Sequence, residues 1–121
     1  LNSNKVTNEI TATGTQNAIA YSGTCYYHIF GKLCCVIGEF KFSSDYTPTN
    51  TQVIFKNLPI PVRPYYITAL QYRGGRVDTL FTGSIPFKMR INDAGEIQNW
   101  YSGILTIANN PATFSFVYPI K

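Results

Sequence analysis

The sequence predicts an all-β fold, an antiparallel β-sandwich formed by one domain of 121 residues, 1–121. Apolar residues nowhere recur at helical spacing for three turns, so no amphipathic helix is expected. Runs of β-branched and aromatic residues instead alternate with turn residues about every eight to twelve positions, which is typical of short antiparallel strands. Glycine-containing turns between such runs are the third observation that favours this class.

The predicted strands follow one another along the whole chain. Their bounds, in chain order, are Val6–Ala12, Ala18–Ser22, Tyr26–Phe30, Leu33–Phe42, Thr51–Lys56, Tyr65–Tyr72, Arg76–Phe81, Ile85–Asn92, Glu96–Trp100 and Thr113–Tyr118. A further candidate strand covers Ile104–Ile107. The polar start without an initiator methionine indicates a piece of a longer chain, and residues 1–17 are a candidate connection to an upstream stalk.

The turn Gly31-Lys32 joins two of these strands into a hairpin, because glycine supplies the positive φ that a two-residue turn requires. Such a turn sets Phe30 opposite Leu33. Both faces of the hairpin are then apolar, whereas a hairpin with one solvated face would alternate apolar and polar residues. One face is expected in the core, and the other must be covered by this chain or by another subunit. The first face carries Tyr27, Ile29, Cys34, Val36, Phe40 and Phe42, and the second carries Tyr26, His28, Phe30, Leu33, Cys35 and Ile37.

The later strands have more ordinary patterns. Ile85–Asn92 is a half-exposed strand with apolar side chains at every second position. The glycine-containing loop Asp93-Ala94-Gly95 follows it and predicts a hairpin with the next strand. The closing strand alternates aromatic residues on one face, and Pro119 ends its ladder.

Composition favours a subunit of a larger assembly. Only 13% of the residues are charged, against about 25% in soluble proteins, while 15% are aromatic. A surface with so little charge does little to keep copies apart, so a homo-oligomer is expected. The net charge of +4 comes from basic residues scattered singly, which does not favour nucleic-acid binding. No apolar run reaches the roughly 18 residues that cross a bilayer, so membrane insertion is not predicted.

The cysteines do not predict a disulfide framework. Their number, three, is odd, and the neighbours Cys34 and Cys35 point to opposite faces of a strand. Buried thiols in a protein made in a reducing cytosol are expected instead. A metal site would need more ligand partners for the cysteines than the single histidine, His28, supplies. No metal or other cofactor is therefore predicted.

Catalysis is not predicted either. The single histidine, His28, lies in mid-strand among apolar residues, where a structural role is favoured over a catalytic or ligand-contacting one. No nucleophile elbow, zinc-protease or phosphate-loop motif occurs. Asp93 and Glu96 flank a hairpin loop, where solvated charges are usual, rather than facing each other across a cleft.

Candidate binding residues surround the turn Gly74-Gly75. A two-residue turn sets Arg73 opposite Arg76, and like charges across a ladder destabilise it. These cations either diverge into water or contact an anionic ligand or a neighbouring subunit. Tyr72 and Asp78 would lie beside them and add aromatic and hydrogen-bonding contacts.

Trp100 and Tyr101 stand at another turn, where a core aromatic residue would be unusual. Saccharides present C–H faces that lie on aromatic rings, so this pair is a candidate saccharide platform. A place in the core or in a subunit interface is the alternative for a lone tryptophan.

The order of four motifs carries a family resemblance. The motifs are the glycine-turn hairpin Tyr26–Phe40, the Leu-Pro and Arg-Pro strand entry Val53–Pro64, the loop hairpin Ile91–Ile97 and the closing strand Phe114–Ile120. From about Ala18 to its end, the chain resembles the C-terminal head domains of tailed-phage tail-fibre and baseplate receptor-binding proteins.

The resemblance implies a jelly-roll head, assembled as a trimer with upstream fibre or baseplate proteins at the distal tip of the virion tail and made in the bacterial cytoplasm. It implies attachment to a host cell-wall saccharide without catalysis. Its sugar sites point here to Trp100, Arg73, Arg76, Asp78 and His28, to which the two turns add Tyr72 and Tyr101. A fibre cap or trimerising domain without a ligand is the first alternative, and a carbohydrate-binding module of a glycan-degrading enzyme is the second.

Overall fold

The computed structural model describes residues 8–48, 51–72, 84–101, 106 and 108–121. These residues form eight antiparallel strands and no helix, which confirms the all-β class. The strands are β1 (Asn8–Gln16), β2 (Ile19–Phe30), β3 (Leu33–Phe42), β4 (Val53–Phe55), β5 (Tyr65–Tyr72), β6 (Ser84–Ile91), β7 (Ile97–Tyr101) and β8 (Ala112–Pro119). Nothing in the described ranges has both the helical length and the hydropathy that a membrane crossing requires.

The strands lie in one sheet in the order β1-β2-β3-β8-β5-β6-β7-β4. The two end strands, β1 and β4, contact each other, and the Tyr21 hydroxyl of β2 donates a hydrogen bond to the Val53 carbonyl of β4 at 3.2 Å. The sheet is therefore nearly closed into a barrel around one core. At the junction of β5 and β8, Leu70 and Gln71 are the paired residues of β5, although both strands are eight residues long.

The hairpin predicted at Gly31-Lys32 is confirmed residue for residue. Phe30 pairs with Leu33, and Gly31 has a φ of 59°, which suits the first central position of a type II′ turn. The second strand of the hairpin, β3, also pairs with β8 along most of its length. Both strands of the hairpin are thus held within the sheet, and their two faces are fixed by the register.

One predicted boundary is wrong, because the two predicted strands Ala18–Ser22 and Tyr26–Phe30 are, apart from Ala18, parts of a single strand, β2. Gly23, between them, does not turn the chain. A Cβ there would lie 2.6 Å from a backbone oxygen of β3, so glycine permits the close approach of two strands. The turn lies earlier, at Asn17 and Ala18, which both have positive φ as a type I′ hairpin requires.

The predicted strand Thr51–Lys56 is also too long. Its extended part is β4, which covers Val53–Phe55. Thr51 and Asn57 have φ values of 68° and 67°, and this left-handed backbone ends the strand on both sides.

The remaining predicted strands agree with the structure or fall outside it. β3, β5, β6, β7 and β8 match their predicted bounds to within one residue, and β1 continues past Ala12 to Gln16. The predicted strand Arg76–Phe81 lies outside the described residues. Of Ile104–Ile107 the structure describes Thr106, which forms an isolated bridge with Tyr46.

Alternation along the strands sorts the side chains into an inward and an outward set. Inward, Phe40 lies at ring-centroid distances of 5.3 to 6.3 Å from Phe42, Phe87 and Phe114, at the centre of the core. Outward, the second face of the Gly31 hairpin, for which a cover was expected, is not covered by the described residues of this chain.

Candidate functional site

Strands β5 and β6 present the first part of the candidate site on the outer surface of the sheet. They pair along their whole length, with Tyr66 opposite Arg90. Ile67 and Met89, next to them in the chain, are buried in the core. Because successive side chains of a strand point to opposite faces, Tyr66 and Arg90 point outward.

Trp100 reaches the same surface through an irregularity in β7. The β6–β7 ladder pairs Met89 with Asn99 but Lys88 with Tyr101, so Trp100 is an extra residue between the two pairs. This arrangement is a β-bulge, a feature that redirects side chains and is frequent next to functional sites.

The Trp100 ring contacts both of the other outward side chains. The guanidinium carbon of Arg90 lies 3.7 Å from the centroid of the Trp100 ring, within the range of a cation–π interaction. The Tyr66 ring lies 6.0 Å from the Trp100 ring at a tilt of 54°, and Tyr66 is 69% exposed. We call Tyr66, Lys88, Arg90 and Trp100 the aromatic shelf.

The shelf is held in place from below. Nε and Nη2 of Arg90 donate hydrogen bonds to Oε1 of Gln98 at 3.2 and 3.0 Å. Gln98 is buried, and its Nε2 donates to the Thr51 carbonyl at 3.0 Å. Since the amide of Gln98 is neutral, these bonds orient the guanidinium without cancelling its charge. Trp100 thus rests against an oriented cation, a pre-arranged geometry that suits ligand recognition.

A groove of about 300 Å³ opens beside the shelf, at the small end of the range of ligand sites. It is lined by Tyr66, Ile67, Thr68, Lys88, Met89 and Trp100. This lining offers aromatic ring faces, a hydroxyl and an ammonium group. The described residues that line it include no carboxylate, histidine or cysteine side chain.

Two of the predicted site residues have described side chains. Trp100 belongs to the aromatic shelf. His28 points outward from β2, a strand that does not neighbour β7, and its ring packs 4.2 Å from that of Phe30. The structure therefore does not bring His28 and Trp100 together. Arg73, Arg76, Asp78 and the side chains of Tyr72 and Tyr101 lie outside the described part, and their roles stay predictions.

The sequence reasoning missed Tyr66, Lys88 and Arg90. Alternation marks all three as outward residues, and this signal was present in the sequence. Their meeting with Trp100 depends on the strand order β5-β6-β7 and on the bulge, and neither follows from one sequence. The pattern that would have identified these residues is an outward aromatic residue on one strand and outward cationic residues on the next.

The titratable groups of the core are structural. Burial raises the pKa of the Cys25 thiol to about 12, and the neighbouring Cys34 adds to the rise. Burial also raises the pKa of Cys34 and that of Tyr118, whose hydroxyl donates a hydrogen bond to the Pro59 carbonyl at 2.8 Å. These groups stay protonated at neutral pH and are poor nucleophiles. Across the described ranges, no three histidine, cysteine or acidic side chains come together as a metal site.

Comparisons with known proteins leave the fold and the shelf as the basis for function. No family model, no curated protein and no solved structure matches the chain. The resemblance to phage receptor-binding heads accordingly stays a prediction that depends on the four sequence motifs.

Proposed function

We propose that the protein is a non-enzymatic attachment module that binds a cell-surface saccharide at the aromatic shelf. The observation that carries this proposal is the contact of Trp100 with Arg90 beside the exposed ring of Tyr66. An exposed tyrosine ring and a half-buried tryptophan ring next to hydrogen-bond donors match the two surfaces of a sugar, its C–H face and its hydroxyl groups.

The groove supports weak binding of a small part of a glycan. A volume of about 300 Å³ accommodates one or two sugar rings, and one side of it is open to solvent. Strong attachment then requires several modules on one particle, because linked sites raise overall avidity by about 10² to 10⁴ without new contacts. This requirement fits the tip of a tail fibre or baseplate, which presents many copies to one cell.

The proposal includes the jelly-roll trimer at the distal tip of a virion tail. Support for two facing layers comes from the narrow β5–β8 junction and the unpaired contact of β1 with β4. In the proposed sandwich, these two lines separate the single sheet into layers of four strands each, β1-β2-β3-β8 and β5-β6-β7-β4. Support for assembly comes from the uncovered apolar face of the Gly31 hairpin.

The second candidate function is a structural cap or trimerising domain of a fibre that binds no ligand. The same uncovered apolar face favours it, because such a face serves assembly equally well with or without a saccharide site. Binding data separate the two functions, since a cap would leave the aromatic shelf unoccupied by any glycan.

A glycan array of bacterial cell-wall and capsular saccharides tests the proposal. We expect the wild-type chain to bind one saccharide class, and Trp100→Ala to lose at least about ten-fold in affinity, equivalent to about 1.4 kcal/mol. Val62→Ala, which truncates an exposed apolar side chain outside the shelf, is the control and should bind normally. Array silence of the wild type, or equal binding by Trp100→Ala, would contradict the proposal and favour the cap.

A further inference from the structure

A second cavity opens on the other side of β5 from the aromatic shelf. Its volume is about 490 Å³, larger than that of the groove beside the shelf. Thr68, an exposed residue of β5, lines both of them. The groove and the second cavity therefore adjoin, with one threonine side chain between them. We call this second cavity the cleft, and its polar lining consists of Tyr26, Glu39, Thr68, Thr113 and Ser115.

The cleft exists because the ladder between β5 and β8 ends early. The last pair on this side is Leu70 with Thr113. A continued antiparallel ladder would bring Thr68 opposite Ser115, since each step along one strand is matched by an opposite step along the other. That pair does not form. The two strands diverge there and leave open space between two hydroxyl groups.

The cleft offers the two kinds of surface that a sugar ring needs. Tyr26 is 41% exposed and presents an aromatic ring to the C–H face of a sugar. The hydroxyls of Thr68, Thr113 and Ser115 are exposed and can donate and accept hydrogen bonds. The exposed carboxylate of Glu39 accepts hydrogen bonds from sugar hydroxyls. A volume of about 490 Å³ lies within the range of ligand sites.

The charges of the two cavities differ. Lys88 and Arg90 belong to the shelf, whereas the described residues that line the cleft include Glu39 and no cation. An acidic substituent on a sugar would be attracted to the shelf and repelled from the cleft. The cleft therefore favours an uncharged sugar ring.

The position of the cleft is compatible with assembly. Glu39 lies about 20 Å along β3 from Leu33, at roughly 3.3 Å per residue. The apolar side chains nearest the Gly31 turn, Phe30 and Leu33, are exposed at the other end of this hairpin face. A subunit contact at the turn is thus consistent with a cleft that is open to solvent.

We propose that the saccharide is an extended chain that crosses β5, with one part at the aromatic shelf and an uncharged, hydroxyl-rich ring in the cleft. This inference rests on the proposed function and adds to it the length and the charge pattern of the ligand. Thr68 contacts the chain where it crosses β5, and Glu39 and Ser115 bind its second part.

Binding of short and long fragments of one polysaccharide tests the proposal. The probes are acid-released fragments of bacterial cell-wall and capsular polysaccharide, separated by length into disaccharides and longer oligosaccharides. In isothermal titration calorimetry, the wild type should bind the oligosaccharide at least about ten-fold more tightly than the disaccharide, because only the longer chain reaches the cleft.

Three variants locate the gain in affinity. Ser115→Tyr fills the cleft from an exposed position and should reduce the affinity for the oligosaccharide to that for the disaccharide. Glu39→Gln removes the charge with little change of shape and should weaken oligosaccharide binding by a smaller factor. Neither variant should change disaccharide binding. Thr15→Tyr, the control, adds the same ring at an exposed position of β1 that lines neither cavity and should bind both fragments normally.

The outcomes distinguish this inference from the function on which it rests. A wild type that binds neither fragment overturns the saccharide proposal and the extended chain together. Equal wild-type affinity for the two fragments, or a gain with length that Ser115→Tyr retains, overturns the extended chain alone and leaves binding at the shelf intact.

Amide resonances of the wild type give a second test that does not depend on how a variant folds. The oligosaccharide should shift the amide signals of Thr113 and Ser115 together with those of the shelf residues Tyr66 and Trp100. The disaccharide should shift the shelf signals alone. An oligosaccharide that shifts the shelf signals and leaves those of Thr113 and Ser115 unchanged overturns the proposal.

Discussion

The two faces of the Gly31 hairpin have almost the same residue types and opposite environments. The inward side of β3 buries Val36 and Phe40 in the core, and the outward side exposes Leu33 and Ile37. Hydrophobicity alone does not distinguish them. The difference comes from what lies opposite each face, which is the rest of the sheet on one side and solvent on the other. The inward set therefore stabilises the fold, whereas the outward set remains available for a partner.

The largest expected effect is the difference between the stability lost on substituting Phe40 and the stability lost on substituting Ile37. Phe40→Ala leaves a cavity among the aromatic rings of the core and should lower the free energy of unfolding by about 3 to 5 kcal/mol. Ile37→Ala, on the outward side of the same strand, should lower it by less than about 1 kcal/mol in the monomer. Urea denaturation at low protein concentration measures both. Equal losses would mean that the outward face stabilises the fold as much as the inward face does.

A smaller effect on the free energy of unfolding concerns the tight packing on the inward side of β3. A Cβ at Gly38 would lie 2.5 Å from the Cβ of Cys25 and 2.8 Å from the ring of Phe114, so Gly38→Ala should cost about 1 to 3 kcal/mol through overpacking. Gly14→Ala is the comparison and should cost less, because its closest contact is the hydroxyl end of the Tyr21 side chain, whose displacement disturbs one hydrogen bond to the Val53 carbonyl but not the core. The same urea titration compares them, and a Gly14→Ala loss as large as that of Gly38→Ala would contradict this account of the packing.

The smallest effect is a dependence on alkaline pH. The pKa of Cys25 is raised from its ordinary 9.0 to about 12 in the fold, so above pH 9 the unfolded chain loses this proton while the folded chain keeps it. The free energy of unfolding should therefore be constant below pH 9 with respect to this group. It should fall by at most about 1.4 kcal/mol per pH unit for each such group between pH 9 and pH 12.

Denaturation at pH 8 and pH 10, about one unit on either side of the ordinary thiol pKa, measures this loss. Cys25→Ala is the control and should show a shallower dependence, because it removes one of the titrating groups. A wild-type stability that rises over this interval would contradict burial as the cause of the raised pKa.

Much of the fold could be predicted because local rules decide it. The Gly31 turn fixes the register of β2 and β3, and alternation assigns the faces. The break assumed within β2 was wrong because Gly23 serves a close approach between strands, which depends on the neighbouring β3. The near closure of the sheet was not predicted, since strand order depends on contacts between residues that are distant in the chain.

The candidate site could be predicted only in part for the same reason. Trp100 was identified because a tryptophan at a turn is unusual in a core. Its partners Arg90 and Tyr66 come from two other strands, and the bulge that directs Trp100 toward them is a property of the ladder. The predicted cluster around Gly74-Gly75 lies outside the described residues and remains a prediction.

The two lines that divide the sheet have a consequence for temperature. Few backbone hydrogen bonds cross the β5–β8 junction. Strands β1 and β4 are in contact, but no ladder of backbone hydrogen bonds pairs them. Across these two lines the sheet is held by the apolar core and by side-chain bonds such as that from Gln71 Nε2 to the Asn110 carbonyl. Hydrophobic association weakens on cooling, whereas the backbone ladders elsewhere in the sheet do not depend on it to the same degree. Chilling should accordingly loosen the sheet along these two lines before it loosens the other ladders.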